Sequence, residues 1–206
     1  MQMRESRKAA VSRHKRELIL DAARSVFAEE GLEGASLRAI ATRAGYTPAA
    51  LYFHFDSKEA IYAEVLRQSL ASLGAAVSAA IATTRGAKQR LHAAGMAFFR
   101  YYADNPRDLD LGFYLFRGGM KPAGLGHDRD HELNAALEAA LHPIAEAAEA
   151  LGASRPKANT VMVDCFAHAT GLLLLLHTGR IRMFGASAPD LMDAYLRDKV
   201  AQFGKG

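Results

Sequence analysis

Residues 36–58, SLRAIATRAGYTPAALYFHFDSK, decide how this chain is read. Ser36 is a good helix N-cap, and Leu37, Ile40, Ala41 and Ala44 recur at helical spacing until Gly45 interrupts them. Ala44, Gly45 and Tyr46 then leave room only for a tight turn, and a glycine there accepts a left-handed backbone. Thr47 caps a second, short helix over about residues 49–53, with Pro48 at the first position, where a missing N–H costs nothing. Asp56 or Ser57 starts a further helix, and Glu59, three residues after Asp56, has the pattern of a capping box. Two short helices joined in this way form a helix-turn-helix, whose second helix can enter a major groove with its N-terminal end leading.

Outward from this stretch the pattern stays helical. A first helix is expected from near Ser12 to Glu30, stopped by Gly31, with Leu18, Ile19, Ala22, Ala23, Val26 and Phe27 on its inward face. The helix that starts at Asp56 or Ser57 carries Ile61, Val65, Leu66 and Leu70 towards residue 82. Further helices are expected at about 87–104, 107–118, 128–151, 157–183 and 189–203, separated by Gly86, Asn105-Pro106, the glycines and proline of 118–124, Gly152 to Pro156, and Gly185 to Pro189. Half of the residues are hydrophobic, β-branched residues are sparse, and no stretch alternates with a period of two. The expectation is an all-α protein of about nine helices. The predicted division is a helix-turn-helix unit with its basic N-terminal segment over 1–58 and a larger helical domain over 59–206.

The formal net charge is +4, unevenly spread. Arg4, Arg7, Lys8, Arg13, Lys15 and Arg16 face only Glu5 in the first sixteen positions, which suits either a solubilising tail or an arm along a polyanion. The single cysteine, Cys165, excludes an intrachain disulfide and a cysteine-rich metal site, as expected in a reducing cytoplasm. Glu17 and Asp21 interrupt any apolar run after the basic start, so no secretory signal is expected. Leu172 to Leu176 is too short to span a bilayer, and no membrane partner is expected.

Residues 36–58, together with Ile19, Ala22, Ala23, Phe27 and Gly31 upstream, resemble the TetR/AcrR family of transcription regulators; the specific likeness covers about 14–66, roughly a quarter of the chain. The resemblance implies that Arg38 reaches a base edge, where a guanidinium can bond bidentately to guanine O6 and N7. It implies that Thr47, Pro48 and Ala49 form the tip of the reading helix, the last two offering only apolar contact. It also implies phosphate contacts for Ser36, Tyr46, Tyr52, His54 and Lys58, which position without specifying. Leu51 and Phe55, four apart, are expected to pack inward and leave Tyr52 facing the duplex, while Arg43 reads as a solvated charge.

A reading head alone does not account for the remaining chain. The segment 157–183 is apolar almost all round, which demands burial on several sides; it is either the central helix of a monomer or, as the resemblance implies, part of a four-helix homodimer interface matching a palindromic operator. Methionines and aromatics gather in the same half. Phe98, Phe99, Tyr102, Phe113, Phe116, Met120 and Met162 suit either plain core or an adaptable apolar pocket for a small effector, with Cys165 and His168 as its polar groups or as satisfied core. His127, Asp128, Asp130, His131 and Glu132 have metal-compatible chemistry, but the glycine-rich approach reads as a solvated loop, and neither a metal nor a cofactor is expected.

A helical enzyme is disfavoured by inventory, since the sequence carries no recognisable Cys–His pair, glycine-rich phosphate loop, spaced metal motif or carboxylate pair at helical offset. The expected function is a dimeric repressor on double-stranded DNA, released when an apolar or amphipathic effector prefers the non-binding state. The alternative is a helix-turn-helix protein that binds DNA without an effector.

Overall fold

The computed structural model describes residues 2–112 and 124–203, with side chains from Ala9 onward; Phe113, Phe116 and Met120 lie outside the described residues. Every element among those residues is helical: α1 (Gln2–Gly34), α2 (Leu37–Ala44), α3 (Pro48–Tyr52), α4 (Lys58–Ala82), α5 (Ala87–Asp104), α6 (Pro106–Gly112), α7 (His127–Ala150), α8 (Arg155–His177), a 3-10 turn (Arg180–Phe184) and α9 (Ala188–Gln202). Packing separates two compact units, one formed by residues up to 68 with the described parts of 110–133, the other by 69–109 with 134–203. The packing boundary therefore falls inside α4, not ahead of it.

In the first unit, Ile19, Ala23, Val26 and Phe27 of α1 are buried with Ile40 and Ala41 of α2, Leu51, Phe55, and Ile61, Tyr62 and Val65 of α4. Leu18 departs from the expected inward face and stays 40% exposed. The Phe27 and Tyr62 rings meet edge-on at 4.8 Å, and the buried Tyr62 hydroxyl donates to the Leu111 carbonyl at 2.8 Å. α1 starts ten residues before the expected Ser12, because no proline or glycine precedes it, so the basic segment is helical backbone and not an extended arm. Gly31, at φ 70° and ψ 179°, breaks the helix where the sequence places the stop. The expected loop around His127 is instead the first turn of α7, with the Asp130 carboxylate accepting from the Leu125 N–H at 3.0 Å.

In the second unit, α5 packs on α8 and α9. Gly95 permits this closeness: a Cβ there would sit 2.6 Å from Leu196 of α9. The expected helix 157–183 ends at His177, because Thr178 and the left-handed Gly179 stop it and a 3-10 turn follows. By length and hydropathy α4 and α8 are apolar enough to cross a membrane, which the short Leu172–Leu176 run does not suggest; a third of the most apolar window of each is buried. α4 nonetheless begins with Lys58, Glu59, Glu64 and Arg67, and α8 carries Lys157, Asp164 and His168.

Candidate nucleic-acid interface

The reading unit is built from local chemistry. Ser36 is extended at φ −130°, and its Oγ accepts from the Ala39 N–H at 3.1 Å, which starts α2. Gly45, at φ 74°, ends α2; its own N–H and that of Tyr46 bond back to the Thr42 and Ala41 carbonyls, closing the turn. Thr47 Oγ1 accepts from the Ala50 N–H at 3.3 Å, and Pro48 opens α3. Of the two candidate caps for α4, Ser57 does the work: its Oγ accepts from the Ala60 N–H at 3.1 Å, while Asp56 faces Arg129 at 3.5 Å.

These caps set which side chains face outward. Leu51 is fully buried and Phe55 nearly so, which anchors the back of α3. Ser36, Arg38, Thr47, Pro48 and Ala49 are exposed, Tyr52 is 60% exposed, and Tyr46 and His54 are half-buried. Phe53, at 88% exposure, stands beside Tyr52 on the outer side. The signal lay in the buried pair Leu51 and Phe55, which leaves both intervening aromatics on the outer side.

The cations divide sharply. Arg38 is exposed and makes no ion pair among the described residues. Arg43 forms a bidentate pair with Glu29 at 2.8 and 2.7 Å, which raises its already high pKa. Arg16, which the sequence placed in a basic arm, turns inward: its guanidinium lies 4.2 Å over the Phe55 ring, donates to the His54 carbonyl at 3.2 Å and sits 3.6 Å from Glu64. Hydrogen bonding to Arg67, aided by Arg16, holds the Glu64 carboxyl below its ordinary pKa. Lys58 Nζ is half-buried and donates to the carbonyls of Leu32, Glu33 and Ala35 at 2.9, 3.3 and 3.2 Å, a partner set different from the phosphate the resemblance implied.

The family model described as bacterial regulatory proteins, tetR family, matches residues 19–65, the stretch that folds into this unit. An uncharacterised HTH-type transcriptional regulator, TtgW of Pseudomonas putida, is 31% identical over 121 residues, which cover 59% of this chain and 87% of TtgW. The chain belongs to the TetR family. Its members are transcription regulators that bind DNA through a helix-turn-helix, and the enzyme reading falls. The HTH-type transcriptional activator FasR of Mycolicibacterium smegmatis is 41% identical over 83 residues, 40% of this chain and 38% of FasR. The repressor KstR2 of Rhodococcus jostii is 47% identical over 55 residues, 27% of each chain, so both matches cover well under half of the relative. The fold extends further than these matches. FadR of Bacillus subtilis, solved with stearoyl-CoA, superposes with a TM-score of 0.68 at 17% identity, covering 88% of this chain and 95% of that one.

The residues expected to line an effector pocket are closely packed. Phe98, Phe99, Tyr102, Met162 and Cys165 are all buried, with Phe98 edge-on to Tyr102 at 5.2 Å and to Phe166 at 5.7 Å. Burial lifts the Cys165 thiol to a pKa of about 11 and keeps it protonated. His168 stacks on Tyr195 of α9 at 3.8 Å, which places it between α8 and α9. A groove of about 540 Å³ beside α4 and α5 is lined instead by Ala76, Ala80, His92, Ala93, Met96, Ala97, Arg100 and Tyr101, with Asp104 and Asn105. Among the described residues, no three His, Cys, Asp or Glu side chains converge as a metal site; His127 and Asp128 point into solvent.

Proposed function

We propose that the chain is a cytoplasmic, homodimeric repressor that binds a palindromic operator and is released by a small apolar or amphipathic effector. The observation that carries the DNA half is the face made by Arg38, Thr47, Pro48, Ala49 and Tyr52: all are exposed, on helices whose backs are anchored by buried Ile40 and Leu51. Arg38 reads a base, Thr47 to Ala49 meet the groove floor, and Ser36, Tyr46, Tyr52 and His54 hold phosphates. In this reading residues 1–58 carry DNA binding, while 59–206 carry effector binding and dimerisation.

Dimerisation is supported by the outer stripe of α8, where Thr160, Val163, Ala167, Gly171 and Leu174 are all exposed, Val163 at 58% and Leu174 at 53%. Leu191 and Ala194 of α9 are likewise exposed. Isologous pairing of two such stripes gives the two-fold symmetry a palindrome requires. The effector class rests on the aromatic and methionine content of the second unit, and on the stearoyl-CoA of the FadR neighbour. Phe98, Phe99, Tyr102, Met162, Cys165 and His168 are its proposed contacts within that unit.

A second reading, DNA binding without an effector, is favoured by the dense packing of Phe98, Phe99 and Tyr102. One titration separates the two. Purified protein is mixed with its upstream DNA, with and without acyl-CoA thioesters and other amphipathic metabolites. A shift reversed by one of them supports release; a shift that none reverses supports the second reading. Failure to shift any palindromic duplex at moderate salt refutes DNA regulation by this chain.

A further inference from the structure

Lys58 is the first residue of α4, where the positive end of the helix dipole opposes a cation. Its position is explained by what lies opposite. Gly31 breaks α1, and the Leu32, Glu33 and Ala35 carbonyls beyond that break point at the ammonium, at 2.9, 3.3 and 3.2 Å. An ammonium has three N–H donors, and three carbonyls occupy them. The chain passes from Ala35 directly into Ser36, the N-cap of α2, and Arg38 follows two residues later. The placement of the exposed guanidinium thus depends on a segment that Lys58 ties to α4.

We propose that Lys58 is a positioning residue for DNA recognition: it holds residues 32–35, and through them Ser36 and Arg38, and does not itself neutralise a phosphate. The inference rests on the DNA-binding reading and assigns this lysine a different part in it. A phosphate-bound lysine releases condensed counterions when it binds, whereas a lysine satisfied within the protein releases none.

Two measurements test it. In the free protein, acylation by an N-hydroxysuccinimide ester is followed by mass spectrometry. Lys58 is expected to react at least about tenfold more slowly than the exposed Lys88 and Lys157, with little change when operator is added. Equal rates in free protein, or strong protection of Lys58 only on DNA, overturn the proposal. In the second measurement, K58M and K58Q are titrated with operator and with unrelated duplex across a salt series. K58M is expected to lose more than about tenfold on operator and less than about twofold on unrelated duplex, with an unchanged salt slope; K58Q, which keeps two N–H donors without charge, recovers part of the loss. A slope reduced by about 0.9 in both variants marks a phosphate contact and overturns the proposal. A lower melting temperature with both affinities intact marks a merely structural lysine and also overturns it. Wild-type protein that binds no palindromic duplex refutes the DNA reading instead, and the acylation rates still decide whether the ammonium is committed within the protein.

Discussion

Replacing Arg38 with alanine isolates the arginine proposed to read a base. The side chain is exposed, pairs with no carboxylate among the described residues, and lies outside the hydrogen bonds through which Ser36 and Gly45 cap α2. Alanine is the best helix former, so stability should change by no more than about 0.5 kcal/mol. A bidentate arginine–guanine contact is worth about 1–3 kcal/mol of discrimination, which converts to about 5- to 140-fold. R38A should therefore flatten the preference for operator over a duplex altered at one base pair by that factor, at an unchanged melting temperature. Arg43 supplies the control. It lies on the same helix and carries the same charge, but Glu29 already holds both of its terminal nitrogens. R43A should leave the preference intact. The assay is fluorescence anisotropy on a set of single-base operator variants at fixed salt. A preserved preference in R38A, or an equal loss in R43A, refutes the assignment of base reading to Arg38, since the second result is what removal of charge alone produces.

Three further outcomes follow from the packing. G45A should lose about 1–2 kcal/mol in urea melts, because the φ of 74° is costly for a residue with a Cβ while the space around that Cβ is open. L174D should convert a dimer to a monomer by sedimentation velocity with unchanged helical circular dichroism, because Leu174 is exposed on the proposed α8 stripe. Burial holds the His168 imidazole below its ordinary pKa, so on acidification the unfolded chain takes up a proton first. Its contribution to stability is therefore complete above about pH 6.5 and is lost as pH falls from there towards the lower folded value. H168Q should flatten the urea midpoint over that window, and an identical slope in the variant rules out His168 as its source.

How much of this was legible depended on whether the cause was local. The caps Ser36 and Thr47, the left-handed Gly45 and Pro48 at the first position of α3 are each fixed by neighbours within three or four residues, and α5 occupies 87–104 as the spacing predicted. The stop at Thr178 and Gly179 was hidden because the leucines before it suggested continuation, and Ser12 looked like a cap although nothing upstream interrupts a helix. The hydrogen-bond partners of Lys58 and Arg16 lie 23 to 38 residues away and leave no mark on the local sequence. The pocket residues were ambiguous for another reason: aromatic and methionine side chains fill a closed core and line an open cavity equally well.

The same distinction bears on how much of the positive charge can serve DNA. A count of cations in the first unit overstates the phosphate contacts, because the Arg16 guanidinium is spent on Phe55, His54 and Glu64, Lys58 on three carbonyls, and Arg43 on Glu29. Among the described side chains, what remains on these helices is Arg38 on α2, the exposed Arg13 and Lys15 on α1, and neutral donors at Ser36, Thr47 and Tyr52. Neutral donors position a duplex without releasing counterions, so the salt slope of operator binding should be shallower than the cation count suggests. On the proposed assignment, with Pro48 and Ala49 unable to donate hydrogen bonds to bases, direct reading reduces to Arg38, Thr47 and apolar contact. Selectivity must then draw on the shape and deformability of the operator, at positions these side chains never touch.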